Sequence, residues 1–195
     1  MNANLFWNNR FITYVVLTLV FGTLYALNNV LTAPLLLAPG AHLVHLPSGF
    51  KLLLVLVFGM VGALSVFTVS LVAGYGFFFA GQLPLSIELA IANATAPFLT
   101  VKFFLDQQLV QPDLSDLRLK VLALMGLLYA VLNSAMNQLL LFWNHAIQNM
   151  VDGLMIMFTG DVLGVILVLG LLRLAMRWTK RKTHATEDSQ LPPAP

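Results

Sequence analysis

Five stretches of this chain, 11–33, 50–73, 84–105, 118–144 and 153–174, are largely apolar and each is long enough to cross a bilayer. A helical span needs roughly 20 residues at about 1.5 Å of rise each. The apolar runs are continuous rather than alternating, which favours helices over a membrane β-barrel. Of 195 residues, 59% are apolar and 9% charged, against about 25% charged in soluble domains. The sequence therefore predicts an all-α, polytopic transmembrane bundle of about five spans. It forms a single domain over 1–178, followed by a basic, then polar, irregular tail over 179–195.

The segment 34–49 is apolar but broken by Pro34, Pro39, Pro47, Gly40 and Gly49. It is too short between breakers to span, so it reads as an interfacial or re-entrant segment, tolerated at membrane depth only against protein or a watery cavity. Near it, Asn28 and Asn29 suit a helix end. His42 and His45 are an incomplete metal set, with no nearby thiolate or carboxylate, and the chain has no cysteine. No metal or cofactor is expected. Pro84 is placed to open the third span, and Pro97 lies inside it. Asp113 or Ser115 is suited to cap the fourth span.

Half of the ten basic residues lie at the end of the last apolar run, Arg173 just inside it and Arg177, Lys180, Arg181 and Lys182 after it. Basic flanks mark the cytoplasmic side, which predicts a multi-pass protein of the inner (plasma) membrane with its C-terminus inside. The cluster is a topology signal and gives no reason to expect nucleic-acid binding. Five spans then place the N-terminus outside, with Lys51 at the entrance of the second span. A sixth crossing through 34–49 reads from the sequence as weakening the charge asymmetry.

Asp161 stands near the middle of the last span. A bare carboxylate there costs about 2.5–3.5 kcal/mol on insertion scales, so it is expected to face protein, water or ligand. Gly160 and Gly164 provide a shallow face on which another backbone can lie close. Asn133 and Asn137 lie one turn apart on the fourth span, Asn93 lies deep in the third, and Glu88 lies about a turn inside it. These side chains are the candidates for a polar interior. A purely architectural reading is equally open, in which Asp161 pairs with Lys102, Asn133 or Asn137 to fix the bundle.

Pro47-Ser48-Gly49 leading into a glycine-containing span, Asn93, and Gly160-Asp161-Val162-Leu163-Gly164 together resemble the integral sensory domains called membrane-associated sensor (MASE-type) domains. The resemblance implies a sensory membrane domain with Pro47, Gly49, Asn93, Gly160, Asp161 and Gly164 as its carried-over positions. That family typically has around eight spans and a cytoplasmic output module. With about five spans and a short tail, the resemblance implies action through a separate signalling partner. Two functions follow as expectations: a sensory or small-molecule-binding membrane domain, or a small-solute permease or transporter subunit. Catalysis is not expected. Intramembrane aspartyl proteolysis needs two facing aspartates, whereas only Asp161 is deep in a span, and Ser48 with His145 is a poor fit to a serine nucleophile and its base.

Overall fold

The computed structural model describes residues 9–31, 36–38, 41–42, 45–111 and 119–188. Its helices are α1 (Arg10–Leu31), α2 (Leu46–Phe58), α3 (Met60–Ala73), α4 (Leu83–Asp106), α5 (Leu119–Trp143) and α6 (Met150–Asp188). The last residues of α3 run on as a π-helical turn, Gly74–Phe78. A small antiparallel hairpin, β1 (Leu36–Ala38) with β2 (Ala41–His42), precedes α2. Apart from that hairpin, the described residues form an all-helical membrane bundle. Five stretches are long and apolar enough to cross a bilayer: Arg10–Leu31, Met60–Phe78, Leu83–Asp106, Lys120–Trp143 and Met150–Leu171.

The second span differs from the 50–73 expected. Pro47 sits in the first turn of α2, where its missing N–H costs nothing, so the helix begins four residues earlier. At Gly59 the backbone takes φ 55° and ψ −126°, a conformation that a side chain disfavours. The chain reverses there, and Gly62 lies so close to the Leu54 carbonyl that a Cβ would collide with it. The apolar run is thus a hairpin of two helices. The first, of 13 residues, is about 20 Å long at roughly 1.5 Å per residue, short of a bilayer's core of about 30 Å.

Local signals set the other ends. Asn9 Oδ1 accepts the Phe11 and Ile12 amides at 3.1 and 3.4 Å and caps α1. Asn149 Oδ1 likewise accepts the Val151 and Asp152 amides at the start of α6. Gly81, at φ 82°, turns α3 into α4. The helix α6 continues to Asp188; this corrects the irregular tail expected from 179, because no proline or glycine interrupts the chain between Gly170 and Pro192. Residues 189–195, and the proposed caps Asp113 and Ser115, lie outside the described residues.

Side-chain pairings fix the helix directions. Tyr14 meets Ser65 and Thr68, and Gly22 meets Val69, so α1 runs parallel to α3. Asn93 with Asn137 and Glu88 with Asn144 make α4 and α5 antiparallel. Gln138 beside Gly153, Asn133 with Asp161 and Gly126 beside Val165 do the same for α5 and α6. His45 with Gly160 and Gly49 beside Val168 set α2 parallel to α6. Successive helices therefore alternate in direction through all six, and the start of α1 and the end of α6 lie at the same end of the bundle.

This order also gathers most of the basic residues at one end of the bundle. Among the described residues, Arg10, Lys102, Lys120 and the five cations from Arg173 to Lys182 all belong by their place in the chain to one end. The connections at the other end, 32–45, 79–82 and 144–149, carry no lysine or arginine. Lys51 belongs to neither.

The apolar core joins α2 to α4, α5 and α6 through Leu52, Val55, Phe104, Met125, Tyr129 and Val165. Large apolar side chains on the outer faces, such as Phe11, Val30, Phe77, Met155 and Ile166, are exposed, as a bilayer-facing surface requires.

The absence of cysteine makes the topology directly measurable. In single-cysteine variants labelled by a membrane-impermeant maleimide, Asn9→Cys and Gln107→Cys are expected to react from one side of sealed vesicles, and Gln82→Cys and Gln148→Cys from the other. Reaction of Asn9→Cys together with Gln82→Cys and Gln148→Cys would restore five crossings.

Candidate functional site: a buried polar chain at the start of α2

The site begins with a backbone problem. The first amides of a helix have no partners within it, and α2 starts inside the bundle, where water is scarce. Asn28 of α1 solves part of it: its Oδ1 accepts the Leu46 amide at 3.2 Å. The His45 amide donates to the Gly160 carbonyl at 3.2 Å. Asn28 is buried and serves the next helix, which corrects the expectation that it ends its own.

Glycine makes the approach geometrically possible. A Cβ on Gly164 would strike the His45 carbonyl, and one on Gly49 would strike Val168 and the Gly164 carbonyl. The face formed by Gly160 and Gly164 is occupied by the entry to α2, with Pro47 and Gly49 as its own close-packing residues. His45 packs edge-on against Tyr25, with ring centroids 5.8 Å apart. The His42 side chain lies outside the described residues.

This docking delivers Ser48 to Asp161. The Ser48 hydroxyl donates to Asp161 Oδ1, and Asn133 Nδ2 donates to Oδ2 at 2.6 Å. From there amides form a chain. Asn137 Nδ2 donates to the Asn133 carbonyl at 2.8 Å and to its Oδ1 at 3.3 Å. Asn93 Nδ2 donates to Asn137 Oδ1 at 3.3 Å, and Lys51 Nζ donates to Asn93 Oδ1 at 2.5 Å. Asp161 and Lys51 are only 1% and 2% exposed. Two opposite charges thus sit in the interior with three asparagines strung between their hydrogen-bonding partners, and Tyr129 is buried beside Ser48 and Asp161.

Beside the ammonium lies a cavity of about 50 Å³ lined by Lys51, Asn93, Asn137, Ser70 and Gln138 on its polar side and by Tyr25, Phe78 and Phe79 on its aromatic side. Ser70 Oγ and Gln138 Oε1 are buried there without a hydrogen-bond partner. Buried polar atoms are nearly always paired, so this space is made for a polar occupant.

No protein family, curated protein or solved structure matches this chain.

Four of the sequence candidates, Asp161, Asn93, Asn133 and Asn137, meet in one hydrogen-bonded chain. Pro47, Gly49, Gly160 and Gly164 form the frame around it. Glu88 stands apart, accepting from Asn144 Nδ2 at 2.8 Å near the opposite turn. Its place a single turn inside α4 keeps it at the bundle's end. Lys102 is exposed and is not the partner of Asp161.

The main residue missed is Lys51, read from the sequence as an entrance cation. Once Pro47 fixes the helix start at Leu46, Lys51 is the sixth residue of an apolar helix, and a lone cation at that depth signals an interior position. Gln138, one residue on from Asn137, is a further amide deep in an apolar span and was legible in the same way.

Removing one member of a buried charge set leaves the other uncompensated, at a cost of about 3–5 kcal/mol. Lys51→Met alone and Asp161→Leu alone are each expected to destabilise the bundle on that scale. The double variant should recover much of the loss, as read by reversible unfolding in detergent. Losses that add to within about 0.5 kcal/mol would show that the two charges do not act as one unit.

Proposed function

We propose that this protein is an integral membrane ligand-binding or sensory unit that acts through a separate partner. Its ligand-responsive element is the chain of polar groups from Lys51 through Asn93, Asn137 and Asn133 to Asp161 and Ser48. The observation that carries this reading is a buried lysine, linked through asparagines to a buried aspartate, that borders a cavity holding unpartnered polar atoms. Ionisable groups at membrane depth are costly and are by default functional, and architecture alone gives no reason for the empty space beside them.

Charge placement supports an orientation. Among the described residues, eight lysines and arginines belong to one end of the bundle and Lys51 is in the interior, so by the positive-inside rule that end, with the start of α1 and the end of α6, faces the cytoplasm of a plasma membrane. The helix α6 carries Asp161 and runs unbroken for 39 residues, giving a continuous path from the site to a cytoplasmic partner. This reading agrees with the sensory role that the MASE-type resemblance implies. A binding role is preferred to catalysis because the Ser48 hydroxyl donates directly to a carboxylate, without the intervening imidazole that activates a serine nucleophile.

One observation favours transport as the second reading. The helix α2 is short and starts within the bundle, and transporter sites are often built at such interrupted helices.

Asp161→Asn is expected to preserve insertion and the six-helix order, with a lower unfolding midpoint. It should abolish the thermal stabilisation that small-molecule ligands confer on the natural chain. If ligands stabilise both proteins equally, the site lies elsewhere. Solute accumulation by the natural chain in sealed proteoliposomes would decide for the permease.

A further inference from the structure

The polar cavity has a large apolar neighbour. Between α1 and α3 runs a groove of about 740 Å³, walled by Thr18, Gly22, Ala26, Val69, Val72 and Phe77. That volume lies within the roughly 300–1,000 Å³ of sites that bind organic molecules. Tyr25 and Phe78 line both the groove and the cavity, so two aromatic side chains form the partition between them. The groove's outer wall opens toward the bilayer: Val72 and Phe77 are 62% and 79% exposed.

The two spaces ask for different chemistry. The cavity offers several donors and, besides the Ser70 oxygen, one unpartnered acceptor, Gln138 Oε1. An ammonium carries three N–H groups, and Lys51 directs a hydrogen bond to Asn93. The Ser70 hydroxyl is unpartnered, and the Gln138 amide nitrogen reaches only the Met157 sulfur, at 3.7 Å. Asp161, the nearest source of negative charge, is engaged by Ser48 and Asn133 and does not line the cavity. A cation would therefore meet Lys51, whereas an anion would find donors.

Size narrows the head group. A space of about 50 Å³ holds only three or four water-sized groups at roughly 10–15 Å³ each. That suits a carboxylate and excludes a glycerophosphate head.

We infer that the ligand of this site is a single-chain anionic amphiphile, a long-chain carboxylate taken from the bilayer, its tail in the α1–α3 groove and its head on Lys51, Ser70 and Gln138. This inference rests on the reading of the interior as a ligand site and names the class of ligand. Entry is lateral, from the lipid phase past Ala26 and Phe77, with Tyr25 and Phe78 moving aside to let the head pass. Charge complementarity at Lys51 separates this occupant from the acyl chains that touch every outer face of the bundle.

The test uses the full chain in phosphatidylcholine nanodiscs and a palmitic acid analogue carrying a photoactivatable diazirine on its chain, with cross-links mapped by mass spectrometry. Saturable labelling is expected on the α1 and α3 segments that wall the groove. Palmitate should compete roughly tenfold or more better than methyl palmitate, because a hydrogen bond to a charged group is worth about a decade of affinity. Ala26→Phe, which fills the groove from its exposed wall, and Lys51→Met should each reduce labelling by a similar factor. The ester comparison needs no variant and so stands even where Lys51→Met does not fold.

Equal competition by acid and ester would overturn the inference, marking the label as bulk lipid contact. Competition by acetate at the same concentration as palmitate would also overturn it, while leaving the interior as a site for a small anion. Absence of saturable labelling in a protein whose ligand stabilisation still depends on Asp161 would remove the amphiphile and spare the site.

Discussion

The start of α2 is the constraint on which the interior depends. A helix that begins inside a bundle exposes unpaired amides where no water can take them, and each would cost several kcal/mol in hydrocarbon. Here the neighbouring helices supply the acceptors, Asn28 from α1 and the Gly160 carbonyl from α6. Supplying them requires α2 and α6 to touch backbone to backbone, which in turn requires glycine at 164 and 49. Ser48 reaches Asp161 only because that contact is made. The frame and the polar chain are thus one structure, and neither can be altered without the other.

The distribution of charge within this frame has consequences of its own. A direct Lys51–Asp161 contact would be the economical way to neutralise both groups if neutralisation were their only task. Instead each is satisfied by neutral side chains, with asparagines between. Amides accept and donate at once, so a chain of them passes order from one end to the other while leaving the ammonium turned to a cavity. Interhelical hydrogen bonds of this kind average only about 0.6 kcal/mol. Their role is better understood as holding α2, α4, α5 and α6 in register around the charges than as the main source of stability, which the apolar core and the surrounding bilayer supply.

Much of this was legible from the residues. The apolar runs gave the helical membrane class. Asn133 and Asn137 revealed their face by one-turn spacing, and Asp161 revealed its need for partners by its depth. The hairpin at Gly59 was not legible, because an unbroken apolar run of 24 residues is what a single span looks like, and glycine is common within spans. That one misreading shifted two others: the helix start and the depth of Lys51. The partners of Asp161 were partly hidden for a different reason. Ser48 is separated from it by 113 positions in the chain, and no local periodicity reports a contact at that range. The cavity was beyond any sequence signal, since an empty volume follows from how Tyr25, Ser70 and Gln138, on three different helices, fail to meet.

The geometry also bears on how a change in the interior would be felt outside it. The entry to α2 is tied to α6 by a backbone hydrogen bond, by interlocked glycines and by the Ser48–Asp161 contact, while its far end turns at Gly59 into α3. A ligand that draws on Lys51 pulls at the middle of this short helix, between a fixed start and a glycine reversal. The Gly59 end lies at the same end of the bundle as the long continuation of α6. Packed interfaces move between discrete arrangements rather than bending smoothly. A short helix tied at its start to α6 and packed at its far end against α3 and the apolar core joins the cavity to the charged end of the molecule.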